Sequence, residues 1–229
     1  MNPFTTTSIG LITFVLAATP VLGSCQPPQE VLGPQRVQII ALDKPGGEYT
    51  LAVRELATLE NARTLEGSSV QMRGGGAVVL EDSLIDGDLS GQTEAALADV
   101  QLVHGARAIQ TQFEVKNDIL IPTDWESLIM FSFYHHLESA RTFFEQLGVP
   151  TQALKPVKTY FNIRVTSLLF FWGAPLITDN AGYTPIADSF LLFPSLLLSG
   201  QIPLAANEGV VVHELSHAVK HRMLHPDKK

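Results

Sequence analysis

The chain contains a single cysteine in 229 residues, so no internal disulfide staples it and its stability has to come from buried apolar surface. Charge is sparse as well: 17% of the residues are Asp, Glu, Lys or Arg, with 15 basic side chains against 23 acidic ones and a formal net charge of -8. A chain this poor in basic residues lacks the surface that tracks phosphates, which excludes nucleic acid as an expected partner. Nor is there an unbroken apolar run of the roughly 20 residues that a membrane-spanning helix needs. What is present is 45% hydrophobic residues, enough to build a sizeable core for one ordinary domain or two small ones.

The first 24 residues carry no charged side chain, and Ile9 to Ala18 form an apolar run of the length of a signal-peptide core. It leads into Leu22-Gly23-Ser24-Cys25, which resembles the lipobox of bacterial lipoproteins, although Met1 to Ser8 lacks the usual Lys or Arg. Residues 1–24 are therefore expected to be a signal peptide and Cys25 a lipidation site that anchors an exported protein to a membrane, with ordinary secretion as the alternative. Residues 25–35 are rich in Pro and Gln without periodicity, the composition of a tether.

From residue 36 to residue 118 the pattern is of short extended segments, Val37–Leu42, Tyr49–Val53, Val70–Met72, Ala77–Leu80 and Ile109–Val115. Clusters such as Lys44-Pro-Gly-Gly and Arg73-Gly-Gly-Gly separate them, and their spacing predicts antiparallel β structure. Glu94–Val103 fits a short helix or a further strand. The acidic turn Glu81–Asp88 does not match a calcium loop and reads as a solvated turn, and His104 as an ordinary histidine. Residues 119–229 form the second part of the chain. A helix is predicted from Asp124, capped by Thr123 or Asp124 and stopped by Gly148 and Pro150, with Ile129, Phe133, Leu137, Ala140, Phe144 and Leu147 facing the core. His135 and His136 on it are expected to be surface or packing residues. Val157–Phe171 reads as β-rich, and two extended runs around Thr184-Pro185 as a β-ribbon. The fold class expected is thus α+β: a β-rich N-terminal part, a helix, a β-ribbon and a C-terminal helix.

That last helix carries the chemistry. It contains Val210-Val-Val-His213-Glu214-Leu-Ser-His217-Ala-Val, a His-Glu-x-x-His sequence. On a helix, residues i and i+4 share a face, so the imidazoles of His213 and His217 can grip one Zn²⁺. Glu214 then stands beside the metal, placed to take a proton from a water that the metal acidifies. The apolar residues Val210, Val211, Val212, Leu215, Ala218, Val219, Met223 and Leu224 cover more than one face, which predicts a buried helix. An amphipathic helix with its histidines in solvent is the alternative. Pro226 is expected to end it.

Phe133-Tyr134-His135-His136-Leu137, then Asn180-Ala181-Gly182-Tyr183, then Pro203-Leu-Ala-Ala before His213-Glu214-x-x-His217, together resemble thermolysin-like and fungalysin-like zinc peptidases, the gluzincins. The resemblance spans about Trp125 to Leu224 and implies a zincin active-site helix. It further implies an edge strand on which Asn180 and Ala181 hold a peptide or protein substrate. It places a third zinc ligand, a glutamate, roughly twenty residues beyond the second histidine, whereas the chain reaches Lys229 first. His221 stands about 12 Å along the helix from His213, too far to share its metal, and His225 is a remote substitute. The expectation is a zinc-dependent endopeptidase, its domain incomplete over 119–229 and its activity impaired in this form. The alternative is a non-catalytic surface lipoprotein that keeps the fold for binding.

Overall fold

The structure, a computed structural model, describes residues 30–42, 47–80, 105–167, 180–185, 187–195 and 202–226. The expectations for the signal peptide, Cys25, Glu81–Asp88, Glu94–Val103 and His104 lie outside the described residues. The chain is α+β. Its first half is strands: β1 (Gln35–Leu42), β2 (Tyr49–Leu56), β3 (Leu59–Asn61), β4 (Glu66–Gly67), β5 (Val70–Gly74), β6 (Ala77–Leu80), β7 (Arg107–Ala108), β8 (Phe113–Lys116) and β9 (Ile119–Pro122). Helix α1 (Trp125–Gln146) follows, then β10 (Val157–Phe161), β11 (Arg164–Ser167), β12 (Ala181–Thr184), β13 (Ser189–Leu192) and helix α2 (Glu208–Leu224).

Short turns make antiparallel pairs, as the sequence predicts. β1 lies antiparallel to β2, and β8 to β9 across Asn117-Asp118, whose φ angles of 52° and 58° are those of a hairpin turn of the primed type. The wholly antiparallel reading of the N-terminal region does not hold, however. β1 pairs parallel with β9, β5 with β10 and β6 with β11. Each of these partners is separated by a long stretch of chain, and a parallel pair requires such a crossover. The expected strand Ile109–Val115 is also broken, because Thr111 turns inward and donates its hydroxyl to the Ala62 carbonyl at 2.7 Å. The result is a four-stranded sheet ordered β2-β1-β9-β8, a seven-stranded sheet ordered β12-β13-β10-β5-β4-β3 with β7 on β5, and the two-stranded pair β11-β6. Strands from both sides of residue 118 meet in all three.

Helix α1 is held at both ends by its own chemistry. Asp124 accepts the Ser127 amide at 2.7 Å, and at the other end Gly148, at φ 83°, lets Val149 reach back to the Phe144 carbonyl. Ile129, Phe133, Leu137 and Ala140 are buried as predicted, but so are Met130, Phe131, Tyr134, His136 and Glu138. The burial is wide because α1 packs against β1 and β2 on one side and β5 and α2 elsewhere. Leu147, past the last turn, is 65% exposed.

Helix α2 starts at Asn207, whose side chain accepts the Val210 amide at 3.3 Å, and its last residue is Leu224, just before Pro226. Only one face is buried: Val211, Leu215, Ala218, Val219 and Arg222. This corrects the expectation of a helix buried on more than one face. α2 is covered by α1, β12 and the turn Thr151–Leu154 on one side only, so Met223 and Leu224 are 53% and 64% exposed. Among the described residues no helix is long and apolar enough to cross a membrane.

Candidate functional site

The exposed face of α2 carries His213 and His217. One turn apart, their Nε2 atoms approach to 3.0 Å with the rings at 80°. Two nitrogens bound at about 2.05 Å to one tetrahedral zinc would lie about 3.3 Å apart, so the pair has close to the bite of a chelate. The same contact is a hydrogen bond in which the tautomer decides which ring nitrogen donates. The alternative of histidines facing solvent is thus the arrangement observed, and it leaves their nitrogens pointing at a common position. Among the described residues no three His, Cys, Asp or Glu side chains gather to hold a metal. His225 lies tilted against His221, ring centroids 5.3 Å apart, instead of joining the pair. The residues present therefore fit Zn²⁺ as two of its ligands, not as a closed site.

Glu214 sits lower, its side chain 15% exposed against 66% for His213, with Oε1 4.0 Å from His213 Nε2. Its Oε2 accepts the backbone N–H of Tyr183 at 2.7 Å. That contact follows from strand parity. Among the described residues β12 is the last strand of its sheet, paired on one side with β13, and the Asn180 carbonyl accepts the Phe193 N–H at 3.0 Å. Antiparallel bonding alternates, so Gly182 and Thr184 bond β13 while Ala181 and Tyr183 direct their N–H and C=O groups outward. One outward N–H goes to Glu214 and the other, from Ala181, to the Asn180 side chain at 2.9 Å. The structure thus brings Asn180 and Ala181 onto a sheet edge that is bonded through Tyr183 to Glu214. At the Asn180 end of that edge opens a mainly apolar cavity of about 270 Å³ lined by Trp125, Ile129, Phe161, Phe193 and Leu204.

Sequence reasoning did not find the polar cluster under β12. The Tyr183 hydroxyl lies 2.9 Å from His221 Nδ1 and donates to Asp188 Oδ1 at 2.9 Å. Asp188 also accepts from Arg222 Nε at 2.7 Å and Lys155 Nζ at 2.8 Å, and Arg222 Nη1 donates to the carbonyls of Ala153 and Lys155. Burial raises the Asp188 carboxyl, but its bonds to Arg222 and Lys155 outweigh this and hold it below the usual carboxylate range. Burial, then the neighbouring Asp188, pushes the Tyr183 hydroxyl above its ordinary value. His221 thus belongs to this cluster, as its distance from the metal pair required. His135 and His136 are packing residues, His136 being 1% exposed; burial lowers both, His135 to about 4.

No protein-family model, no curated protein and no solved structure matches this chain.

Proposed function

We propose that the chain is a zinc-dependent peptide-bond hydrolase of gluzincin type, in which a peptide adds as a strand to the outer edge of β12. The observation that carries this reading is the convergence of the His213 and His217 nitrogens at 3.0 Å, with Glu214 at 4.0 Å from His213 and bonded to a sheet edge that is unpaired among the described residues. His213 and His217 would hold Zn²⁺, which when bound supplies Lewis-acid polarisation of water and carbonyl. The outward groups of Ala181 and Tyr183 and the amide of Asn180 would bond the peptide backbone and keep it extended. Glu214 would take the proton of the attacking water and return it to the leaving amine. Two protein ligands, the number found among the described residues, hold zinc weakly, so turnover is expected to be slow.

The engagement of Glu214 by Tyr183, and the two-ligand metal site among the described residues, favour a second reading: a peptide-binding module without catalysis. Hydrolysis of casein with added Zn²⁺ separates them. Activity lost in Glu214→Gln and His217→Ala supports the hydrolase, and activity that survives Glu214→Gln removes it. Zinc binding without hydrolysis supports the binding module. Under either reading Cys25 would be the lipid anchor of an exported protein, and incorporation of labelled palmitate in a bacterial host should vanish in Cys25→Ser; label retained in that variant would remove the anchor.

A further inference from the structure

Tyr183 ties β12 to α2 at two levels. Its backbone N–H bonds Glu214, and its hydroxyl, two turns along the same helix, lies against His221 while donating to Asp188, which bonds Arg222 on the next residue of α2. We propose that Tyr183 is a positioning residue for Glu214: Asp188 and His221 fix its ring, and the fixed ring holds its outward amide against the Glu214 carboxylate. The purpose of this tether rests on the hydrolase reading; the contact itself is testable without zinc or turnover.

Among the described residues β12 has a neighbour on one side only, so bonds to β13 alone do not set its distance from α2. Something has to fix that distance, and Asp188 is built to do so. It sits at the end of the β12–β13 turn at φ 45°, a left-handed conformation that Asp tolerates better than most residues. From there it bonds Arg222, 7% exposed, which is itself locked to the carbonyls of Ala153 and Lys155. The Tyr183 ring also packs edge-on against Phe190 with centroids 6.0 Å apart. A glutamate side chain without a fixed partner samples several rotamers; a bond to a fixed amide selects one. That rotamer leaves Oε1 at 4.0 Å from His213 Nε2, beside the point between the imidazoles and not on it. A peptide strand pairing with β12 requires the same Tyr183 amide, so docking of substrate and release of the base become one event.

Amide hydrogen exchange followed by NMR on the full chain tests the tether. Glu214→Ala should speed exchange of the Tyr183 amide about tenfold, while Gly182 and Leu191, which bond each other across the hairpin, keep their rates. Tyr183→Phe keeps the ring and removes the hydroxyl; the residue 183 amide should again exchange several-fold faster, and Asp188→Asn, which retains an acceptor, should fall between it and wild type. Unchanged exchange at residue 183 in Glu214→Ala or Tyr183→Phe overturns the proposal. So does an acceleration shared equally by Gly182 and Leu191, which signals general loosening of the ribbon. A chain that binds no zinc yet shows the selective effect keeps the tether and loses the hydrolase, and the reverse result removes the tether alone.

Discussion

Replacing Asp188 with Ala should destabilise the protein more than any change on the exposed face of α2. Its carboxylate accepts from Arg222 at 2.7 Å, Lys155 at 2.8 Å and the Tyr183 hydroxyl at 2.9 Å. Lys155 is 48% exposed and returns to water at little cost, whereas the Arg222 side chain is 5% exposed and stays buried. Removing one partner of a buried pair costs about 3–5 kcal/mol; with Asp188 itself 28% exposed, the lower end, about 3 kcal/mol, is expected. For a chain of this size that is a fall in Tm of about 6–12 °C. Urea unfolding followed by circular dichroism at pH 7 measures it. Arg222→Met should cost about 2 kcal/mol through its lost bonds to Asp188, Ala153 and Lys155, and the double variant should be less damaged than the sum by about 2 kcal/mol, because no charge is then stranded. A loss below about 1 kcal/mol for Asp188→Ala, or simple additivity, refutes the reasoning. Because the folded carboxyl is held below its ordinary value, this contribution is full above about pH 4 and disappears as pH falls through the lowered value.

Two further outcomes follow from α1. His135 is lowered from 6.5 to about 4 and His136 is lowered too, so the unfolded chain binds their protons first. Stability should therefore fall on acidification between about pH 6.5 and pH 4, by about 3 kcal/mol from His135, and a His135→Phe variant should show a flatter unfolding profile over that window. A Cβ on Gly67 would overlap the Tyr134 hydroxyl and the Thr58 carbonyl, so Gly67→Ala should cost about 3 kcal/mol in denaturant melts, and Tyr134→Phe in the same chain should recover part of it.

Local chemistry was legible in the sequence. Asp124, Gly148 and Pro150 bracket α1, and Thr184-Pro185 marks the ribbon between β12 and β13, because caps and turns act over a few residues. The parallel pairs of β1 with β9 and β5 with β10 were not, since they join segments far apart in the chain and no short pattern encodes them. The one-sided burial of α2 was missed for a related reason: Met223 and Leu224 are apolar, yet the helix extends past the elements that cover it. Of the site, the His213–His217 pairing is dictated by helical spacing alone. The partner of Glu214 depends on which backbone groups of β12 face outward, and that parity is set only when β13 pairs with it; those of Asp188 are side chains from segments far apart in the chain.

The most direct test of the central claim is calorimetric titration of Zn²⁺ into the metal-free chain at pH 7.5, beside His217→Ala. A two-imidazole chelate should bind one Zn²⁺ per chain with Kd on the order of 1–100 µM, and His217→Ala should weaken this at least about tenfold. Equal stoichiometry and affinity in the two proteins, or no binding in either, would contradict a zinc site on α2.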